Sequence, residues 1–396
     1  MSASILVTCG EQRATLACVR SLGNAGFRVH VTSSRGTSLA GASRYAAADH
    51  PVPDAFRDPQ GFLEGVVNLA AQVDAELLLP MTDSAISALL PAWDVFGEVH
   101  VPFPGPRQYE KLSEKAQAIS VARELGICVP RENRIECSDD AKIALESFSS
   151  FPVVVKPARS VAVTEQRIEK LSVSYATTRS ELKDIVQGFP AQAFPLLLQE
   201  RVRGNGLGVF LLVWEGEVLA AFAHRRVREK PPSGGGSVVR ESVPLPSEVL
   251  EKCRWLLDAF DWHGVAMIEF KGESLEADPV LMEVNARFWG SLQLAIDSGV
   301  DFPRLLVRAA LGEEVEPVLS YRTGVRLRWF WGDVDHLWAR MRYSRDSLNL
   351  QPEAGGRFRA LVDFIRDFGP ATRNEVFRWA DPGPALRETR QWFSRS

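Results

Sequence analysis

The chain has 396 residues, 45% of them hydrophobic and 24% charged, and a formal net charge of −4 at pH 7. That composition is ordinary for a globular protein of two or three domains, and its slightly acidic balance gives no global case for a nucleic-acid or membrane partner. No apolar run reaches the roughly 18 residues of a membrane span, and the start, MSASILVTCGEQ, lacks the basic flank and apolar length of a signal peptide.

The first hundred residues alternate strand and helix. Ser4–Cys9 reads as a buried strand, Arg13–Ala25 as an amphipathic helix closed by Gly26, and Phe27–Thr32 as a second strand. Phe62–Gln72 is predicted helical, Glu76–Pro80 a strand, Asp83–Leu90 helical and Val99–Pro102 strand-like. This rhythm predicts an open parallel α/β sheet with helices on both faces. Pro102, Pro104 and Pro106 mark a linker, followed by one predicted helix, Lys111–Leu125. Then come strands at Val153–Lys156 and Leu171–Tyr175, a helix at Ser180–Val186, and strands at Leu196–Glu200, Gly208–Trp214 and Glu217–Ala223. PPSGGGS (Pro231–Ser237) is the strongest loop signal, and HRRVREK before it belongs to the same basic, glycine-containing stretch. A helix at Leu250–Asp258, an antiparallel hairpin of Val265–Phe270 with Val280–Val284, and a helix at Leu305–Leu311 follow. Beyond Leu319 every basic residue except one histidine is arginine and tryptophans recur, which reads as an extension of one strand and several short helices.

Side chains alternate along a strand, so Glu283 and Asn285 share a face. If the hairpin closes near Glu276, Glu269 falls opposite Glu283. Two facing carboxylates repel unless a cation sits between them, and magnesium is suited to such oxygens. Arg287 follows on the same face if the strand continues, placed to neutralise an oxyanion or phosphoryl group. The bland alternative is a solvated strand edge. Lys156 closes the apolar strand PVVVKP and either snorkels or reaches a phosphate; Lys115 is either an exposed helix lysine or a second phosphate ligand. Glu200, ending LLLQE, is either a strand-end charge or a reader of an adenine edge. Arg226 and Arg240 flank Gly234, Gly235 and Gly236, a composition that binds anions but also occurs in ordinary surface loops. The six histidines show no metal spacing, and His224 and His263 read first as structural. Five scattered cysteines without a C-x-x-C pair point to a reducing cytoplasm and away from disulfides or structural zinc. TCGEQRATLACVRSLGNAG opens a helix after a strand but lacks G-x-G-x-x-G, which disfavours a dinucleotide cofactor.

Taken together, KLSEKAQAISVARELGICVPR, VVVKPARS, LLQERVRG, REKPPSGGGSVVRES, MIEF and MEVNARFWGS resemble the ATP-grasp superfamily, in its carboxylate–amine ligase branch, over roughly residues 1–312. The resemblance implies a mixed α/β and α+β fold. Its parts would be a Rossmann-like N-terminal domain (1–110), a lid region (111–198), a larger subdomain with the metal site (199–319) and an appended extension (320–396). It also implies ATP and magnesium, two ions, with manganese as a substitute. Lys115 and Lys156 would contact ATP, Glu200 and Val202 would line the adenine pocket, and Glu269, Glu283 and Asn285 would hold magnesium. Arg287 would stabilise an acyl phosphate or tetrahedral intermediate, and Arg226, Arg240 and Gly234–Gly236 would cover the γ-phosphate and a carboxylate substrate. The implied reaction joins a small carboxylate to an amine, amino-acid or peptide-like, with release of ADP and phosphate, in a protein that can be a homodimer. The alternative is a nucleotide-binding regulatory or scaffold protein without turnover. The loop after Lys156, ARSVAVTEQR, departs from the family in lacking the glycines of a phosphate-covering turn.

Overall fold

The computed structural model describes every residue except 1, 2, 141–147, 149, 150, 159, 160, 164–167, 172, 352, 353, 395 and 396. Strands β1 (Ser4–Val7), β2 (Arg28–Ser33), β3 (Ala48–Pro51) and β4 (Leu77–Leu79) pair in parallel in the order β3-β2-β1-β4. β1 and β4 are buried along their whole length, as apolar strands covered on both faces must be. The helices Arg13–Asn24, Pro59–Gln72 and Asp83–Leu89 follow the expected rhythm; Asp58 and Thr82 cap the latter two by accepting from the amides of Gly61 and Ala85. Strand order reverses at β1, so a crevice opens beyond the carboxyl ends of β1 and β4, where open sheets of this kind bind ligands.

The helix predicted over Lys111–Leu125 is two helices, Pro106–Ser113 and Lys115–Glu124, divided by an extended Glu114. No proline or glycine breaks it. The cause is tertiary: the Lys115 amide donates to the Ala158 carbonyl at 3.0 Å, and its side chain turns inward to only 8% exposure.

Next come β5 (Glu132–Ile135), β6 (Val153–Pro157), β7 (Val161–Val163), β8 (Ile168–Lys170), β9 (Ser174–Ala176) and β10 (Leu196–Glu200). β5-β10-β6-β9 form an antiparallel sheet, and β7 pairs with β8 alone. This sheet has its own small core, with Val153, Val155, Leu196 and Leu198 packing on Leu182 and Val186 of the helix Arg179–Gly188. The strand expected at Leu171–Tyr175 is β9, shifted toward Ala176. Residue 172, and residues 159, 160 and 164–167 of the glycine-poor loop, lie outside the described residues.

The third sheet holds β11 (Asn205–Trp214), β12 (Glu217–Lys230), β13 (Gly236–Ser242), β14 (Gly264–Gly272), β15 (Val280–Asn285), β16 (Arg326–Arg328) and β17 (Thr372–Asn374), in the order β15-β14-β11-β12-β13-β16-β17. Its buried residues are continuous with the core of the first sheet. The basic stretch is not a loop. β12 carries Arg225, Arg226, Arg228 and Lys230, each paired with β13, and the irregular turn shrinks to 231–235. The glycine and proline signal was real, but the arginines before it obey strand pairing.

The extension contributes β16 and β17 to this sheet and the helices Phe330–Arg342, Arg357–Arg366 and Gly383–Phe393. Its acids face arginines, both its own and those of the rest of the chain. Asp333, fully buried, takes both ends of the Arg228 guanidinium at 2.7 Å and Arg328 at 2.7 Å. Asp367 takes Arg228 and Arg326, Asp381 takes Arg20, and Glu375 sits between Arg13 and Arg240. Such forked contacts require arginine rather than lysine. Trp329 lies 4.0 Å from the Arg13 guanidinium, and Trp331 stacks on Trp392. Removing the carboxylate of Asp333 leaves Arg328 buried without its anion and Arg228 with Asp367 alone. Asp333→Ala is therefore expected to lower stability by about 3–5 kcal/mol in chemical denaturation, and a loss below ~1 kcal/mol would contradict a structural role for this cluster.

Candidate active site

Glu269 on β14 and Glu283 on β15 are direct cross-strand partners, with a bulge in β15 at Met282 beside the pair. Their side chains are 14% and 28% exposed, half-buried in a cleft. Like charges in such a register destabilise a sheet, and here each carboxylate has its own cation. Arg226 pairs with Glu269, and Lys115 reaches Glu283 at 3.4 Å. The inward turn at Glu114 makes the second contact possible. Burial pushes both carboxyls up. At Glu283 it is overruled by Lys115, Lys156, an Asn285 hydrogen bond and Arg287, which hold the group at about 2. At Glu269 burial and the facing Glu283 win over Arg226, and its pKa is raised. The pair is thus asymmetric, with Glu283 the firmly ionised member.

Lys156 Nζ donates to the Met282 carbonyl at 3.1 Å, which brings β6 against β15. Burial lowers its pKa to about 8, with Glu283 opposing the shift. Asn285 Nδ2 donates to Glu283 at 3.3 Å, and its oxygen accepts from Arg287 at 3.2 Å. Strand β15 ends at Asn285, so Arg287 turns toward the first sheet; its Nε donates to Asp83 at 2.7 Å, and Tyr109 donates to the other Asp83 oxygen at 3.2 Å. Burial works against the Arg287 charge, and Asp83 more than restores it. The crevice of the parallel sheet therefore opens onto the end of the hairpin.

Arg226 also donates to Glu229 at 3.0 Å and to the Gly235 carbonyl at 3.2 Å. It is the carbonyl of the glycine turn, not an amide, that meets this arginine. Gly234 has φ +128°, and a Cβ at Gly235 would lie 2.6 Å from the Lys230 carbonyl, so the turn needs glycine at both. Gly236 is the first residue of β13 and pairs with Lys230. Arg240 is fully buried; its guanidinium is engaged by Glu375 and donates to the Ser237 carbonyl at 3.0 Å. Glu200 ends β10, where its carboxylate accepts from the Arg131 amide at 3.0 Å, and Val202 follows in half-buried coil. Lys115, Lys156, Arg226, Glu269, Glu283, Asn285 and Arg287 thus form one contact network. Glu200 and Val202 stand outside its direct contacts, and Arg240 meets it only as the cross-strand partner of Arg226. His224 is buried, stacked on Phe210 and 3.4 Å from Ser291, and its burial keeps it neutral; His263 packs on Trp214.

Several participants escaped the sequence reading. Asp83 had a signal, a capped helix start just beyond a parallel strand, where ligand sites gather. Glycines at 206 and 208 clear alternate positions along β11; a Cβ at Gly206 would lie 2.7 Å from Arg226 Cδ, so the arginine can cross the sheet toward Glu269 only over glycine. Glu229, Glu375 and the Met282 carbonyl carry no local signal.

Among the described residues no three His, Cys, Asp or Glu side chains are grouped to hold a metal. The Glu269, Glu283 and Asn285 set is two carboxylates and an amide, all hard oxygen donors, on adjacent strand arms. That suits magnesium, which binds through one or two carboxylates and completes its shell with phosphate and water.

Residues 192–332 match a family model described as ATP-grasp in the biosynthetic pathway with Ter operon. Solved structures similar to the chain include an L-amino acid ligase from Bacillus licheniformis (17% identity, TM-score 0.59, covering 80% of this chain and 78% of that one). A biotin carboxylase from Campylobacter jejuni is 16% identical, with TM-score 0.63 and coverage of 82% and 74%. The biotin carboxylase domain dimer of Hydrogenobacter thermophilus 2-oxoglutarate carboxylase, bound to MgADP, ADP and bicarbonate, is 15% identical, with TM-score 0.62 and the same coverage. At these identities the likeness shows the fold, which is ATP-grasp. No curated protein matches the sequence. No helix among the described residues is long and apolar enough to cross a membrane.

The Glu283 carboxyl is held at about 2, below the ~4.3 of an unfolded chain. Its contribution to stability is full above the unfolded value and is lost as pH falls through the folded one. In metal-free buffer, Glu283→Gln is expected to flatten the fall in denaturation midpoint between about pH 4 and 2. An acid limb identical to wild type would contradict the Lys115–Glu283 arrangement.

Proposed function

We propose that this chain, built on the ATP-grasp fold, is an ATP- and magnesium-dependent ligase that joins a small carboxylate to an amine through an acyl phosphate. The observation that carries the reading is the facing pair Glu269 and Glu283, with Lys115, Lys156, Arg226 and Arg287 converging on it. Two acids kept side by side at a cleft, each balanced by a basic side chain, make a site that can exchange those cations for a metal–nucleotide complex. The bound ion would supply charge neutralisation to the nucleotide's phosphates, held by Glu269, Glu283 and Asn285. ATP transfers its γ-phosphoryl group to the substrate carboxylate, giving ADP and the acyl phosphate. The amine then attacks the activated carbonyl, and phosphate leaves as the amide forms.

Phosphoryl transfer asks for positioning and charge compensation rather than a protein nucleophile. Lys115 and Lys156 are assigned to the nucleotide phosphates. Arg287, anchored by Asp83 at the crevice, is assigned to the oxyanion of the second step. Arg226 is assigned to the reacting carboxylate, released from Glu269 when the cation binds there. Arg240, engaged by Glu375, adds positive potential from behind rather than contact. Glu200 and Val202 are assigned to the adenine pocket, and Gly234, Gly235 and Gly236 to the turn over the γ-phosphate.

The test is a screen of carboxylate–amine pairs read by phosphate release and confirmed by product mass. Magnesium- and substrate-dependent turnover is expected, and Glu283→Gln is expected to reduce it by about 100-fold or more. Stoichiometric ATP binding with no turnover for any pair would favour a regulatory nucleotide-binding role instead. Lys156→Ala should weaken ATP binding by about 10- to 100-fold, the loss of one charge-assisted hydrogen bond. Because Lys156 titrates near 8, wild-type ATP affinity should fall as pH rises through that value, while Lys156→Arg stays flat. Parallel profiles for the two proteins by titration calorimetry would remove Lys156 from the phosphate site.

A further inference from the structure

The helix Arg357–Arg366 in the extension packs on the chain by one face only. Ala360 is buried, the Phe364 ring lies 4.1 Å from the Arg328 guanidinium, and Asp367 just beyond the helix binds Arg228 and Arg326. The other face is apolar and bare. Phe358 is 80% exposed, Leu361 40%, Val362 41% and Ile365 59%. Their spacing of three and four residues makes one stripe about 10 Å long. Trp338 and Tyr343, also exposed, belong to the adjoining helix Phe330–Arg342 and its end.

Arginines frame this stripe. Arg340 and Arg357 donate to the carbonyls of Gly355 and Tyr343, and among the described residues neither they nor Arg342 or Arg366 is ion-paired with a carboxylate. Residues 320–396 carry fourteen arginines against nine aspartates and glutamates, in a chain whose net charge is −4. The global balance that gave no case for a membrane partner conceals a basic segment.

We propose that this face docks the protein on an anionic membrane surface. An amphipathic helix with Phe, Leu and Ile on one side and arginine around it lies in the headgroup region, where apolar insertion and charge attraction add. Exposed Trp and Tyr beside it suit the same boundary. The charge pattern disfavours self-association, because two copies joined through the stripe would bring uncompensated arginines together. A bilayer accepts exposed apolar side chains by insertion, whereas a protein partner needs a surface that matches them.

The test is co-sedimentation of the full chain with phosphatidylcholine vesicles with and without phosphatidylglycerol. Binding is expected to be at least ~10-fold tighter to the anionic vesicles. Phe358→Glu/Ile365→Glu and, separately, Arg342→Glu/Arg366→Glu should each weaken it by ~10-fold or more, with circular dichroism unchanged. The first pair tests insertion and the second tests charge. Equal partitioning to both vesicle types, or wild-type binding by the Phe358/Ile365 variant, overturns the proposal. So does a dimer in sedimentation equilibrium that dissociates in that variant without any vesicle binding, which would reassign the face to a second copy of the chain.

Discussion

Everything in the cleft follows from placing Glu269 and Glu283 opposite each other on neighbouring strands. A sheet does not keep two half-buried carboxylates in register without compensation, so basic groups must come from outside the hairpin. Lys115 comes from a helix broken to deliver it, Lys156 from the second sheet, Arg226 across Gly206, and Arg287 from beyond the strand end. These are four separate parts of the chain. The acid pair is therefore where the three sheets are tied together, and whatever replaces its cations acts on all of them at once.

The asymmetry of the pair gives this coupling a direction. Glu283 faces two lysines and is strongly ionised, while Glu269 depends on Arg226 and is held above its ordinary range. A cation entering the cleft would meet a ready anion at Glu283. At Glu269 it would have to displace an arginine that is also bound to Glu229 and the Gly235 carbonyl. Loading the site and moving the glycine turn are then one event. The extension limits how far such a change spreads, since Asp333, Asp367 and Glu375 clamp the far side of β12 and β13 through buried arginines.

The sequence made the hairpin legible because strand alternation needs only local information: Glu283 and Asn285 two apart, and a turn of the right length before them. The parallel sheet was readable for a similar reason, apolar runs alternating with capped helices. The break at Glu114 was not, because its cause is the Ala158 carbonyl, over forty residues away. The basic stretch was misread because glycine and proline dominate local signals, although Arg226, Arg228 and Lys230 already show the two-residue period of a strand. Asp83, Glu229 and Glu375 are single acids whose roles exist only once distant segments meet.

The account turns on whether the facing carboxylates give up their basic partners to a divalent cation. Anomalous diffraction from crystals grown with manganese and a non-hydrolysable ATP analogue would decide it. The account predicts a manganese peak within coordination distance of oxygens of both Glu269 and Glu283, with Arg226 withdrawn from Glu269. A nucleotide bound with no metal at the pair, and with Arg226 and Lys115 still on their carboxylates, would contradict it.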